Sequence, residues 1–198
     1  MKSIMISIQP QWVEKILNGE KTIEIRKTIP KCELPCKVYI YCTKSKPYLY
    51  RLNDDDDFEL TNQLKFQEDG FVKDYNAQNG KVVAEFTLNQ ADEFSVFESG
   101  SVQYWNCYNL EKSCLTYEQI AKYIGYDKKY GYRNGYAWFI DNLKIYDKPK
   151  DLSEFKHWVI DCNGWCNEKN KKENLYVLEN IERPPQSWCY VEENKNGI

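Results

Sequence analysis

The sequence predicts an α+β fold, a small β-barrel or strongly bent sheet with short helices around it. Three observations carry this. Short β-forming runs recur along the chain, bounded by Gly, Pro or Asn. Helical spacing appears only in short stretches that end at a stop signal. No internal repeat or long linker divides the 198 residues, so one domain is expected over 1–198, with insertions at about 44–80 and 156–175.

The elements follow in order. Lys2 to Ile8 alternates apolar and polar residues and reads as a first strand. Pro10 suits a helix start, because its missing N–H is an orphan there in any case. Trp12, Val13, Ile16 and Leu17 fall at helical spacing, and Gly19 stops the helix. Thr22 to Arg26 alternates again, with Ile23 and Ile25 on one face and Thr22, Glu24 and Arg26 on the other. Pro30 and Pro35 bracket a loop, and Cys36 to Thr43 is a β-rich third strand.

Residues 44–80 are polar and acidic, with Asp54 to Asp57 at their centre, and read as an inserted loop. Asn79-Gly80 marks a turn before a strand over Val82 to Leu88. Residues 91–112 show no clear period and admit one short helix. Thr116 is an N-cap for a helix from Tyr117 to Ile124, ended by Gly125. Residues 126–135, rich in Gly and Tyr, read as a loop, and a strand starts at Tyr136 and continues toward Tyr146. Asp151 to Phe155 is a turn with a short helical piece, 156–175 a second insertion, and Ser187 to Val191 the last strand.

Composition narrows the function classes. No apolar run approaches the ~18 residues of a membrane helix, so an integral membrane protein is not expected. The N-terminus lacks the apolar block of a signal peptide, so the chain reads as cytoplasmic. Its eight cysteines then read as thiols rather than a disulfide frame. The net charge is -3, but it is uneven: +5 over 1–50, -8 over 51–100, +3 over 101–150 and -3 over 151–198. A uniformly basic coat for duplex DNA is excluded, while a local basic cleft in the first quarter is not. Aromatics make up 15% of the chain, mostly core by this reading, with a few available for base stacking.

The residues most able to carry chemistry cluster at the turn from the first helix into the second strand. Lys21, Glu24 and Arg26 crowd there, and Glu24 and Arg26 lie i, i+2 on one strand face, where they can pair. As catalysts, Glu24 would act as general base, with Lys21 and Arg26 stabilising a developing anion. As binders, the two cations would hold phosphate and Glu24 would accept from a base amine. Spacing alone equally fits an ordinary ion pair. Ser7 and Gln9 end the first strand at the mouth of this region, and the position of Gln9 equally suits a cap of the following helix. Trp12 and Trp138 sit on apolar faces and read as core, Trp12 remaining a binding candidate. Trp188 is the better stacking candidate, with Tyr190, Thr43 and Lys44 as further binding candidates. The pairs Cys32/Cys36 and Cys162/Cys166 lack zinc-ribbon spacing, so no metal and no cofactor is expected. The single histidine, His157, has no triad partner nearby.

The strand, the Gln9-Pro10-Gln11-Trp12 turn, the short helix and Gly19-x-Lys21-x-x-Glu24-x-Arg26 resemble the ASCH domain, of the PUA-like superfamily. Tyr136 to Ile140 and the closing Arg183 to Val191 are similar to a subgroup common in bacteriophage and prophage genomes. The resemblance implies a PUA-like β-barrel with a cleft beside the first helix that binds RNA, a nucleotide or a modified base. It also implies an alternative, hydrolysis of RNA or of a modified nucleoside. In the family's amidohydrolases a Lys–Thr–Glu set does the work. Lys21 matches the lysine, the threonine position is Glu24 here, and Glu118 is the rough counterpart of the third residue. A phage factor engaging a host protein is a second alternative. Oligomeric state is not legible.

Overall fold

The computed structural model describes residues 3–44, 49–52, 58–61, 64–68, 71–75, 79–104, 110–160 and 176–194. The chain begins with β1 (Ser3–Ile8), α1 (Pro10–Leu17), β2 (Ile23–Arg26) and β3 (Cys36–Cys42). Next come β4 (Leu49–Leu52), β5 (Phe58–Thr61), β6 (Leu64–Glu68) and β7 (Phe71–Tyr75). They lead into β8 (Val82–Leu88), β9 (Ala91–Phe97), β10 (Val102–Tyr104) and α2 (Tyr117–Ile124). The chain closes with β11 (Tyr132–Phe139), β12 (Asp141–Lys150), β13 (Phe155–Ile160), β14 (Tyr176–Asn180) and β15 (Trp188–Glu193). The α+β expectation is met: many strands and two short helices.

Two larger sheets carry the structure. One has seven strands in the order β12-β8-β3-β1-β15-β13-β14, and the other four in the order β10-β9-β11-β2. All pairings are antiparallel except β1 with β3. A parallel pair needs a crossover, and here α1 and β2 supply it. That crossover is why the helix and the charged strand sit together beside the end of β1.

Alternation in β1 feeds two cores. Ile4, Ile6 and Ile8 join Val13, Ile16 and Leu17 of α1 with Val38, Ile40 and Trp138. Met5, on the other face, joins Tyr39, Tyr41, Tyr146 and Phe155. The buried stripe of α1 is worth ~1.5–3 kcal/mol for each large side chain, which fastens the helix to the sheet. A third cluster packs Ile23 and Ile25 of β2 against Phe94, Val96, Ile120 and Ile124, locking the four-stranded sheet onto α2.

Both helices fall where the sequence places them. The α1 helix begins at Pro10, and Gly19 takes a positive φ of 72° just beyond its end. The α2 helix carries a full capping box: Gln119 N–H donates to the Thr116 hydroxyl and Thr116 N–H to Gln119 Oε1. Gly125, with φ 71°, ends it.

Four expectations need correction. Residues 44–80 are not a plain loop, since β4 pairs with β5 and β6 with β7 as two antiparallel hairpins. Asp54 to Asp57 lie outside the described residues. The described part of 91–112 forms β9, β10 and the start of a 3₁₀ turn over Leu110–Ser113, because antiparallel pairing overrides a weak local pattern. The strand expected from Tyr136 starts earlier, at Tyr132, where Tyr132 pairs with Phe97 across the sheet. Of the second insertion, 156–160 belong to β13, a strand of the seven-stranded sheet that pairs with both β14 and β15, and 161–175 lie outside the described residues. Among the described residues no helix is long and apolar enough to cross a membrane.

Candidate functional site

The site grows from the parity of β2. Ile23 and Ile25 are committed to the apolar cluster under α2. Glu24 and Arg26 therefore turn to the opposite face, as the alternation requires. Lys21 lies before the strand and folds back toward it. All three charged side chains are buried, Lys21 at 2%, Glu24 at 7% and Arg26 at 5% exposure. Burial of this kind is tolerated only when charges are paired and their polar atoms satisfied.

They are paired closely. Glu24 Oε2 lies 3.1 Å from Lys21 Nζ, and Glu24 Oε1 lies 3.0 Å from Arg26 Nη2. Lys21 Nζ also donates to the carbonyls of Ile23 and Ser113, each at 2.8 Å. An ammonium has three N–H groups, so all of Lys21's are used. Arg26 Nη1 donates to Ser187 O at 3.2 Å and Ser187 Oγ at 3.3 Å, while Nη2 donates to Ser7 O at 2.9 Å. The guanidinium thus ties the ends of β1 and β15 to β2. Its Nε is buried and has no partner among the described residues.

These groups line a cleft of about 530 Å³. Trp12 of α1 forms one wall, with Lys21 Nζ 5.8 Å from the centre of its ring. Gln119 and Tyr123 of α2 form the opposite wall, one helical turn apart. Pro184, Pro185 and Gln186 close a side. Because Gln119 Oε1 is held by the capping box, its Nε2 is the end left to face a ligand. Burial pushes the Tyr123 phenol up, against the opposing pull of the Arg26 guanidinium, so it serves as a neutral hydroxyl.

Several residues singled out in the sequence meet here. Lys21, Glu24, Arg26, Ser7, Gln9, Trp12 and Thr43 all line the cleft. Their detailed roles shift. The Ser7 hydroxyl donates to the Pro185 carbonyl at 2.6 Å and is committed to holding the closing segment. Gln9 precedes α1 without capping it through its side chain. Trp12 is half-buried, packing against the main core while also lining the cleft, and Trp138 is fully buried as expected.

Other candidates fall outside. Trp188 donates its indole N–H to Thr28 Oγ1 at 2.9 Å and packs on Trp138, ring centres 6.2 Å apart. Tyr190 meets Trp188 edge to face at 5.5 Å. Neither lines the cleft, because this part of β15 packs against the α1-side core. Lys44 is exposed and runs alongside Gly80. Glu118 is exposed on α2, and the positions of that helix facing the cleft are Gln119 and Tyr123. Among the described residues no three His, Cys, Asp or Glu side chains gather as a metal site. Burial, with Cys32 beside it, pushes the Cys36 thiol up to about 12, so it stays a protonated thiol at neutral pH. Cys162 and Cys166 lie outside the described residues.

Comparison with known proteins bears on the fold. No family model matches the sequence, and no curated protein does. Among solved structures, ASCH from Zymomonas mobilis superposes with a TM-score of 0.50 at 17% identity, over 96% of this chain and 87% of that one. A serine-to-alanine variant of the same protein gives 0.52 at 16% identity, over 98% and 90%. The fold is that of an ASCH domain. At such identity the likeness speaks for the ASCH fold alone. It does not extend to ligand, reaction or the phage-type subgroup. In this chain the helix-to-strand turn lies at a cleft, and a shared fold does not fix that cleft's chemistry.

Proposed function

We propose that this ASCH module binds an RNA unit or a nucleotide, reading its base in the cleft beside α1. One observation carries the reading: the cations of the trio spend their donors on protein acceptors, and the carboxylate faces the cleft. Each Glu24 oxygen accepts from one cation and keeps a further lone pair for a ligand. A base edge that offers an amine or ring N–H matches it, and Gln119 Nε2 suits an acceptor on the same edge. Trp12 and Tyr123 supply ring faces. A cleft of about 530 Å³ lies within the ~300–1,000 Å³ usual for small-molecule sites.

This geometry also ranks the alternatives. A phosphate held by Lys21, or an anion stabilised by it in hydrolysis, would have to displace Ile23 O, Ser113 O or Glu24 from the ammonium. Lys21 is better described as the group that orients Glu24. Hydrolysis with Glu24 as general base toward water remains the second reading, because that carboxylate borders the cleft.

The deciding experiment incubates the protein with total RNA and a nucleotide pool, with Glu24→Gln in parallel. Mass spectrometry then follows the retained and released fractions. A retained, unchanged ligand whose affinity falls about tenfold or more in Glu24→Gln supports the binding reading. A new product that vanishes in the variant replaces it with hydrolysis. Neither retention nor turnover overturns both.

A further inference from the structure

We propose a second subsite next to the cleft, built by Lys27, the turn over 125–131 and the start of β11, which takes the continuation of a single polynucleotide strand. The inference rests on the base-reading cleft proposed above and names its substrate class: a strand rather than a free nucleotide. A separate hollow of about 480 Å³ lies there, lined by Lys27, Thr28, Asp127, Tyr130, Tyr132 and Arg133 among others. It shares a rim with the cleft. Lys27 follows Arg26 directly, and its Nζ sits 5.2 Å from the ring centre of Tyr123, which lines the cleft. A strand whose base enters the cleft would pass over this rim into the hollow.

The composition of the surface identifies its occupant. Tyr130 is 63% exposed and Tyr132 43%, with Tyr126 exposed beside them. Large rings held in water at such exposure are stacking faces available to bases. Cations surround them. Residues 122–133 carry Lys122, Lys128, Lys129 and Arg133 against Asp127 alone, in a chain whose net charge is -3. Lys129 Nζ lies 5.1 Å from the Tyr130 ring centre. Arg133 is anchored by a bond from Nη1 to the Ile124 carbonyl at the end of α2. Asp127 is occupied in part by the Lys129 backbone N–H.

Rings interleaved with cations suit a single strand, whose bases are free to stack and whose phosphates need counter-charge. The trio in the cleft has no terminal N–H to spare for phosphate, and these exposed cations do. A duplex, with its bases already stacked, would leave the tyrosines unused.

Fluorescence anisotropy tests this, with cytidine monophosphate in competition and fluorescein-labelled oligocytidylates of about 3, 6 and 9 nucleotides. The variant Lys128→Ala/Lys129→Ala/Tyr130→Ala changes only exposed side chains outside the cleft. Affinity is expected to rise with length in the parent protein. The variant should lose about tenfold or more of that gain while binding the monophosphate unchanged. Its log affinity should also fall about 1.4 units less steeply with log salt, as expected for two lost phosphate contacts on a single strand. Length-independent affinity, a length gain that survives in the variant, or equal affinity for a blunt duplex would each overturn the subsite. If oligomers bind through the surface and the monophosphate does not bind, the subsite stands and the cleft reading falls. An oligodeoxycytidylate arm separates RNA from DNA as the source of the strand.

Discussion

A lysine whose three N–H groups all meet protein acceptors has a structural duty before any chemical one. Lys21→Met would leave the Ile23 and Ser113 carbonyls without their donor and strip Glu24 of one counter-charge inside the fold. Breaking a buried pair in this way costs about 3–5 kcal/mol. The expected result is a fall of that size in urea-unfolding stability, and a loss below about 1 kcal/mol would show that the ammonium is not bound as described. Gln119→Ala, by contrast, should leave most of the stability and weaken ligand binding. The sequence makes the Glu24–Arg26 pairing legible because strand parity dictates it. Lys21's direction was not legible, since it precedes the strand and is set by the distant Ser113 carbonyl. Gln119 and Tyr123 were missed, although their i, i+4 spacing on a well-marked helix was a usable signal. Trp188 misled because sequence shows an aromatic residue but not the Thr28 hydroxyl that ties its indole down.

At the scale of elements, α2 supplies one wall of the cleft, and its capping box fixes both the helix start and the Gln119 side chain. Thr116→Ala removes the hydroxyl that caps Gln119 N–H and leaves the reciprocal bond, from the backbone N–H of residue 116 to Gln119 Oε1, in place. Helix caps of this type contribute about 1 kcal/mol. The variant should therefore lose about 1 kcal/mol of stability, read by thermal unfolding, while ligand affinity stays within about twofold because Gln119 Oε1 is still held. An affinity loss as large as that of Gln119→Ala would show that the hydroxyl, rather than the reciprocal bond, orients Gln119. Both helices were legible from cap and stop residues, down to Gly19 and Gly125. The hairpins over 49–61 and 64–75 were not. Their acidic and amide-rich composition weakens the alternation on which a strand assignment depends. The segment's first strand pair and second pair are local hairpins, which a charge-dominated reading takes for loop.

Across the whole molecule, acid and alkaline conditions attack different parts of the fold. Glu85 of β8 joins neighbouring strands: it accepts from Tyr146 OH of β12 at 2.5 Å and from Lys37 of β3 at 3.1 Å. Burial raises its carboxyl, but these partners outweigh burial and hold it below the ordinary carboxylate range. A lowered carboxyl contributes stability that is present above its ordinary value, near 4.5, and is lost as pH falls below it. Opposite shifts are more numerous. Burial pushes the thiols of Cys36 and Cys42 up to about 12 and that of Cys189 up to about 11, and it raises the phenols of Tyr39 and Tyr146. Each raised group favours the protonated folded state. Its contribution is complete below the ordinary values, 9.0 for thiols and 10.0 for phenols, and is lost as pH climbs through the raised ones. Stability should therefore be flat between about pH 5 and 9, fall gently on the acid side, and fall steeply on the alkaline side. Urea midpoints measured across this range check it, with each fully titrating group adding about 1.4 kcal/mol per pH unit. Cys42→Ala should shallow the alkaline limb by removing one such group, and Tyr146→Phe should flatten both limbs by removing a phenol and Glu85's partner together. An alkaline limb no steeper than the acid one would mean that these thiols and phenols are open to solvent, and that the two faces of the seven-stranded sheet are not both sealed.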